Sequence, residues 1–251
     1  MTRNGAWLAL IGGLAFVIGM ITYLPASLAI QWAIGDTPVR MEGVSGTLLN
    51  GQAAYVSLPE GGLDNIRWDM HPSALLIGRA AADIRADTDL GGLSANIARG
   101  LLGGNTLTDV TGDATVGWVS KLAGLTFVPL SGRLSLDLQR VSFDDALNVD
   151  TLTGRIQLTN SRWELLNPAL SLGRFSADLS PIDDGIQADL SDGDGPLALT
   201  GQIQLIDQTR YRLNVRLRPR AGADDRLKDA LSQLGRPDEQ GWYRVREQGR
   251  L

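Results

Sequence analysis

Apolar and polar residues alternate along much of the chain from Val39 onward. In the segments 197–205 and 211–217 every second residue is apolar or glycine, and the residues between them are mostly polar. Shorter runs with the same period occur at 134–138 and 175–179. Because successive side chains of a β-strand point to opposite faces, this alternation predicts strands with one apolar face and one wetted face.

Turn-forming residues separate these runs. The segment 181–185 (PIDDG) is expected to join the strands 175–179 and 186–190 as a hairpin, and 192–196 (DGDGP) leads into the strand at 197–205. Three such strands form an antiparallel meander. The pattern therefore predicts a mainly β protein with a large curved antiparallel sheet, which is either an open groove or part of a sandwich.

The chain also contains internal similarity. Trp68 is followed ten residues later by a Gly-Arg pair, and Trp163 is followed in the same way. We interpret this as two related β-units, about 39–109 and 130–220. A short unit of Val or Leu, Ser or Thr, and glycine also recurs, and its glycine is expected to let long strands bend, with a simple turn as an equal alternative for the first of them. These glycines are Gly46, Gly112, Gly132, Gly154 and Gly201.

Helical periodicity is scarce. The segment 224–234 (DDRLKDALSQL) begins with acidic residues, has leucines spaced by four and three, and is followed by Gly235 and Pro237. These features predict a short helix near the C-terminus, followed by a strand within 221–251. Shorter helices are also predicted within 101–107 and 118–125.

An uncharged run opens the chain and predicts a membrane anchor. About 20 residues of helix cross a bilayer, so 7–30 is long enough. Arg3 precedes the run, and the first charge after it is Asp36, which places residues 1–6 in the cytoplasm and 31–251 outside it. The main anchor residues are Trp7, Leu8, Leu14, Phe16, Ile18, Ile21 and Leu24.

A cleaved signal peptide is the alternative to a retained anchor. Small residues at Ser27 and Ala29 have the spacing of a cleavage site. The apolar run is longer than the apolar core of most signal peptides, which favours the anchor. In both cases the β-domain is exported.

Composition excludes several classes of function. The net charge is −5 and no segment concentrates Lys and Arg in the manner of a nucleic-acid interface, so we expect no nucleic-acid partner. The chain has no cysteine, which removes disulfides, thiolate metal sites and cysteine nucleophiles. Its single histidine, His71, is expected to be structural. No motif of phosphate binding or nucleophilic catalysis occurs, and we therefore expect a protein without catalytic activity, cofactor or metal.

Arginines alternate along 210–220, which places them on the polar face of one strand. Such a stripe could contact lipid head groups or an acidic partner. The alternative is a solvated face whose arginines pair with aspartates of neighbouring strands. The aspartates within 183–194 lie on expected turns and lack the spacing of a calcium loop. The candidate stripe consists of Arg210, Arg212, Arg216 and Arg218, with Arg220 beyond them.

Several short motifs follow one another along the chain. The segment 44–53 (VSGTLLNGQA) precedes IRW at 66–68, and LSQLGRPD at 231–238 precedes GWY at 241–243 and GRL at 249–251. In their order and spacing these motifs resemble the family of type II secretion system protein N, and the resemblance covers nearly the whole chain. The residues that carry it are Gly46, Gly51, Trp68, Pro72, Gly78, Arg79, Gly235, Arg236, Pro237, Gly241, Tyr243 and Gly249.

The resemblance implies a single-pass subunit of the bacterial inner membrane, with a periplasmic β-domain and no catalytic residues. Its partners would be membrane lipid and other subunits of the machine that exports folded proteins, and its role would be assembly or scaffolding. The alternating pattern is also similar to AsmA-like periplasmic β-proteins. This second likeness implies an alternative function, in which the apolar face of the sheet binds or transfers lipid.

Overall fold

The computed structural model describes residues 25–27, 39–57, 61–100, 103–122, 128–145, 148–207 and 209–250. Apart from 25–27, the expected anchor at 7–30 lies outside these residues, and so do all seven anchor side chains named above, from Trp7 to Leu24. Among the described residues, no helix has the length and apolar character needed to cross a bilayer.

The described chain is mainly β-structure, as the alternation predicts. The 3₁₀ helix spans Pro72–Ile77, and the α-helices are α1 (Val116–Leu122) and α2 (Asp225–Ser232). The strands are β1 (Arg40–Glu42), β2 (Ser45–Gly46), β3 (Asn50–Ser57), β4 (Gly62–Met70), β5 (Arg79–Thr88), β6 (Gly91–Gly100), β7 (Asn105–Thr115), β8 (Leu130–Phe143), β9 (Val149–Trp163), β10 (Leu170–Ile182), β11 (Gly185–Asp192), β12 (Leu197–Ile206), β13 (Arg210–Pro219) and β14 (Tyr243–Arg250).

All fourteen described strands belong to one antiparallel sheet. From β3 to β14 each strand pairs with the next strand along the chain, while β1 and β2 both pair with β3. The hairpins expected around 181–185 and 192–196 are confirmed. The described strands therefore form a single sheet that ends at β1 and β14, and the sandwich alternative is wrong for this part of the chain.

The register of the sheet separates apolar from polar side chains. One row crosses ten strands, from β5 to β14, with an apolar residue or glycine in every strand: Ala86, Leu93, Gly112, Leu136, Ile156, Ala177, Leu190, Gly201, Val215 and Val245. The adjacent row is polar throughout: Arg85, Ser94, Thr111, Asp137, Arg155, Asp178, Asp189, Gln202, Asn214 and Arg246. Because neighbouring residues of a strand face opposite sides, the sheet has one apolar face and one polar face.

Recurrent glycines lie where neighbouring strands approach closely. Gly154 in β9 has φ 156°, and a Cβ atom there would lie 2.5 Å from the Cα of Leu138. Gly201 in β12 has φ 157°, and its Cβ would lie 2.6 Å from the Cα of Val215. Gly46 instead ends β2, just before a turn, which agrees with the turn alternative.

Register shifts interrupt several of the strand pairs. One lies between β4 and β5, where Asn65 has φ 49°, and another lies between β6 and β7, where Asp109 has φ 52°. Extra residues of this kind bend a strand and increase its twist. The two proposed β-units lie side by side, joined through the pairing of β7 with β8. That the units are related stays a prediction.

Helix α2 packs on the apolar face and forms a core with the sheet. Its N-terminus is capped by Asp224, whose side chain accepts a hydrogen bond from the backbone N–H of Arg226 at 2.9 Å. The helix expected at 224–234 is thus confirmed. Helix α1 overlaps the segment predicted at 118–125, but the helix predicted at 101–107 is wrong because β7 begins at Asn105. The buried core at α2 comprises Leu170, Leu197, Ala223, Leu227 and Leu231.

Acidification is expected to weaken the N-terminal cap of α2. Hydrogen bonds from the side chain and then the backbone of Arg226 lower the pKa of Asp224 from its ordinary 3.8 to about 2. Because the pKa is lower in the folded state, the stabilisation is present above about pH 4 and is lost as the pH falls towards 2. We therefore expect the difference in Tm between the wild type and Asp224→Asn to shrink between pH 5 and 2. A difference that is independent of pH would contradict this cause.

Candidate functional site

The arginine stripe lies on the polar face of β13, as expected from its spacing. Arg216 and Arg218 stack on one indole: their guanidinium carbons lie 5.5 and 4.5 Å from the ring centroid of Trp242. Arg218 also donates a hydrogen bond to the carbonyl oxygen of Gln240 at 3.3 Å. These contacts hold the loop before β14 against β13 by a cation–π interaction.

The other stripe arginines have different partners. Arg210 forms an ion pair with Asp207 in the preceding turn, and Arg212 donates to Oε1 of Gln204 on β12 at 3.2 Å. Pairing with aspartates of neighbouring strands, the alternative raised by the sequence, therefore does not describe Arg210–Arg218. Arg220, just beyond β13, instead pairs with Asp192 of β11, two strands away in the sheet, and donates to the carbonyl oxygen of Gly193 at 2.6 Å.

Strand β14 extends the basic surface beyond the predicted stripe. Arg244, Arg246 and Arg250 alternate along β14 and share the polar face with the stripe. Sequence reasoning missed them, although the period-two spacing of basic residues in YRVREQGR was the available signal. A depression of about 480 Å³ on this face is lined by Asp189, Leu190, Thr200, Gly201, Gln202, Asn214, Arg216, Arg244 and Arg246.

The apolar face has a depression of its own. It measures about 320 Å³ and adjoins the core at α2, because Leu172, Phe175 and Leu197 belong to both. Its lining is almost entirely hydrocarbon, which suits an acyl chain or another apolar group. The remaining lining residues are Leu130, Ile156, Leu158, Ser176, Ala177, Leu190 and Leu199.

The N-terminal family-pattern residues build a joint between strands β2 to β5. Trp68 lies opposite Gly51, and a Cβ at Gly51 would lie 2.8 Å from Cε2 of the indole. The indole N–H donates to the carbonyl oxygen of Leu48 at 3.0 Å. Pro72 begins the 3₁₀ helix, and Gly78, at φ 72°, follows it just before β5, which begins at Arg79. Gly51 and Trp68 therefore have a packing role, and Gly78 supplies the positive φ between the 3₁₀ helix and β5.

The C-terminal family-pattern residues shape the connection from α2 to β14. Gly235 and Gly241 have φ 121° and 80°, values that favour glycine. Between them, Asp238 accepts backbone hydrogen bonds from Trp242 at 2.9 Å and Gln240 at 3.1 Å, and the first of these contributes most to lowering the pKa of Asp238. The remaining members are Arg236 and Pro237 in this connection, Tyr243 packed on the α2 core, and Gly249 opposite Tyr211.

The single histidine lies at the end of β4. Nε2 of His71 is 3.0 Å from Oδ1 of Asp83 on β5, and the hydrogen bond to Asp83 raises the pKa of His71 above its ordinary 6.5. This contact links the end of β4 to β5, and the structural role of His71 stays a prediction. Within the described residues, no group of three or more His, Asp or Glu side chains is arranged to hold a metal ion.

The geometry thus defines a class of protein: a single large antiparallel sheet with one apolar face, one polar face and a basic terminal strand. The sequence profile of the family described as "Type II secretion system (T2SS), protein N" matches residues 37–246. The chain belongs to this family.

Two relatives agree with the family match. The chain is 27% identical to a type II secretion system protein N of Aeromonas hydrophila over 241 residues, which cover 94% of this chain and 95% of the relative. It is also 27% identical to the Vibrio cholerae protein of the same name over 253 residues, covering 95% and 97% of the two chains. No solved structure gives a significant match.

Proposed function

We propose that the protein is a non-catalytic subunit of the type II secretion system that assists assembly or scaffolding of the export machine. In this proposal residues 7–30 anchor the chain in the inner membrane, 1–6 remain in the cytoplasm, and 31–251 form the periplasmic domain. The family match and the names of both relatives support a secretion subunit. The uncharged run that follows Arg3 supports the anchor and its orientation.

One structural observation supports the proposed scaffolding role. The described strands make a single sheet with an uninterrupted polar row across ten strands and a long terminal strand. A broad polar face and an unpaired edge are surfaces to which other proteins bind, by side-chain contacts and by strand addition respectively. Strand addition requires no catalytic residue.

Co-purification from membranes of actively secreting cells tests the proposal. The full chain, carrying an affinity tag, is extracted in mild detergent, and its partners are identified by mass spectrometry. We expect other secretion-system subunits to be retained. A tagged inner-membrane protein unrelated to secretion, expressed at the same level, controls for carry-over. Retention of no secretion subunit above this control would contradict the scaffolding role.

The apolar face supports a second candidate function, the binding or transfer of lipid. The apolar row crosses ten strands, and strands lie about 4.8 Å apart, so it extends for about 40 Å along the sheet. Ile203, on this face, remains 37% exposed among the described residues. A long apolar surface with a hydrocarbon-lined depression is suited to acyl chains.

A pair of substitutions on β12 tests the lipid function. Ile203→Lys places a charge on the apolar face, whereas Gln202→Lys places the same charge on the polar face of the same strand. If lipid binds the apolar face, phospholipid co-purifying with the wild type should fall several-fold in Ile203→Lys and stay unchanged in Gln202→Lys. Equal lipid content in all three proteins would contradict this function.

A further inference from the structure

The terminal strand β14 concentrates positive charge that its own neighbour does not neutralise. On the polar face it presents Arg244, Arg246 and Arg250. Two of these lie directly opposite arginines of β13: Arg244 opposite Arg216, and Arg250 opposite Arg210. Like charges that face each other across two strands destabilise the pairing. The register therefore places like charges on neighbouring strands at this end of the sheet.

Arginine in the middle of the sheet has a different environment. Arg155 on β9 lies opposite Asp137 on β8 and Asp178 on β10. Its Nε donates to Oδ1 of Asp178 at 2.6 Å. A central arginine thus has carboxylates on both neighbouring strands, whereas β14 pairs with one strand alone in the described part of the chain.

Carboxylates of the chain neutralise the β14 arginines only in part. Arg244 lies 3.3 Å from Oδ2 of Asp238, a contact to the preceding loop. Asp189 lines the same depression, but its carboxylate already accepts hydrogen bonds from Gln187 and Gln202. Among the described residues, Arg246 has no carboxylate partner. The open side of β14 is therefore electropositive.

We propose that β14 is the docking edge for an extended segment of another protein, in which acidic and apolar residues alternate. Added as the next strand, the segment would hydrogen-bond to the backbone groups on the edge of β14 that no other described strand pairs with. Its acidic side chains would lie beside Arg244 and Arg246 on the polar face, and its apolar side chains beside Tyr243 and Val245 on the other. The inference rests on the proposed function, because it specifies the chemistry of a scaffold partner.

Neither a second copy nor another part of this chain fits the edge as well. Antiparallel pairing of two β14 strands would place arginine beside arginine, and the other terminal strand, β1, has three residues. In the segments outside the described residues, the acidic side chains are Asp36 and Glu60. They are too few and too far apart in sequence to form an alternating acidic strand.

Charged edge strands also have a protective role, because they discourage unplanned pairing between sheets. Glu247 on the apolar side of β14, opposite Leu213, is suited to that role. Protection and docking make different predictions. A protective edge rejects extended peptides of every charge, whereas a docking edge selects acidic ones.

Peptide binding to the full-length protein in detergent tests the docking edge. The probe is a short fluorescent peptide that alternates glutamate and valine, measured by anisotropy. We expect it to bind the wild type, and the Arg244→Glu/Arg246→Glu variant to bind it about tenfold more weakly or worse. The same variant should prefer a peptide alternating lysine and valine. Arg85→Glu, on the polar face of β5, should bind like the wild type.

Four outcomes would overturn the inference. The first is equal binding of the glutamate and lysine peptides to the wild type. The second is undiminished binding of a glutamate peptide methylated on alternate backbone nitrogens, which cannot add as a strand. The third is binding of phosphatidylglycerol vesicles, but not the peptide, through Arg244 and Arg246. If the double variant fails to bind peptide in the test yet co-purifies with every secretion subunit, the docking edge fails while the proposed function stands.

Discussion

Leu227→Ala is expected to lower the free energy of unfolding by about 2–5 kcal/mol. Leu227 on α2 is 1% exposed and is one of the two largest fully buried side chains among the described residues. It packs with Leu170 of β10 and Leu197 of β12, so truncation would leave a cavity between the helix and the sheet. Denaturant unfolding followed by circular dichroism measures the change.

The control for this prediction lies at the end of the same helical segment. Leu234 is 48% exposed and contributes nothing to the buried core, so Leu234→Ala should cost less than about 0.5 kcal/mol. Equal costs for the two substitutions would mean that α2 does not pack on the sheet as described.

Gly201→Ala is the second change with a large expected effect. A Cβ at Gly201 would meet the carbonyl oxygen of Asn214 and the Cα of Val215, both backbone atoms of β13. Its φ of 157° adds strain for any other residue. We expect a loss of about 3 kcal/mol or more, because β12 and β13 must separate or shift in register.

Gly117→Ala provides the matched control. Gly117 lies in α1 without a positive φ, and the nearest atom to its Cβ would be 3.8 Å away. Alanine is a better helix former than glycine, so this variant should be neutral or up to about 1 kcal/mol more stable. If Gly201→Ala is as stable as Gly117→Ala, the close approach of β12 and β13 is wrong.

Most of the fold could be predicted from the sequence, because strands, turns and helix caps depend on residues that lie close together in the chain. The alternation at 211–217 gave the strand, its faces and the arginine stripe, and the capping residues at 224–234 gave α2 within one or two residues of its observed ends. The helix predicted at 101–107 is wrong because a short apolar segment is compatible with either a helix or a strand.

Features that depend on contacts between distant residues could not be predicted. The apolar row becomes continuous only when the register of each strand pair is fixed, for instance with Leu136 opposite Ile156. The stacking of Arg218 on Trp242 likewise joins residues that are far apart in sequence. So does the hydrogen bond from Arg220 to the carbonyl oxygen of Gly193. Whether the strands form a single sheet or two packed sheets also depends on contacts between distant residues, so the sequence alone could not decide it.

Cysteine labelling tests the two faces of the sheet and its proposed exposure to the periplasm together. The chain has no native cysteine, so single cysteines can be placed at 212, 213, 214, 215 and 216 of β13. In cells with a permeabilised outer membrane and an intact inner membrane, an impermeant maleimide should label 212, 214 and 216 readily and 213 and 215 several-fold more slowly. Labelling that requires rupture of the inner membrane would contradict the periplasmic location, and rates without this alternation would contradict the two-faced sheet.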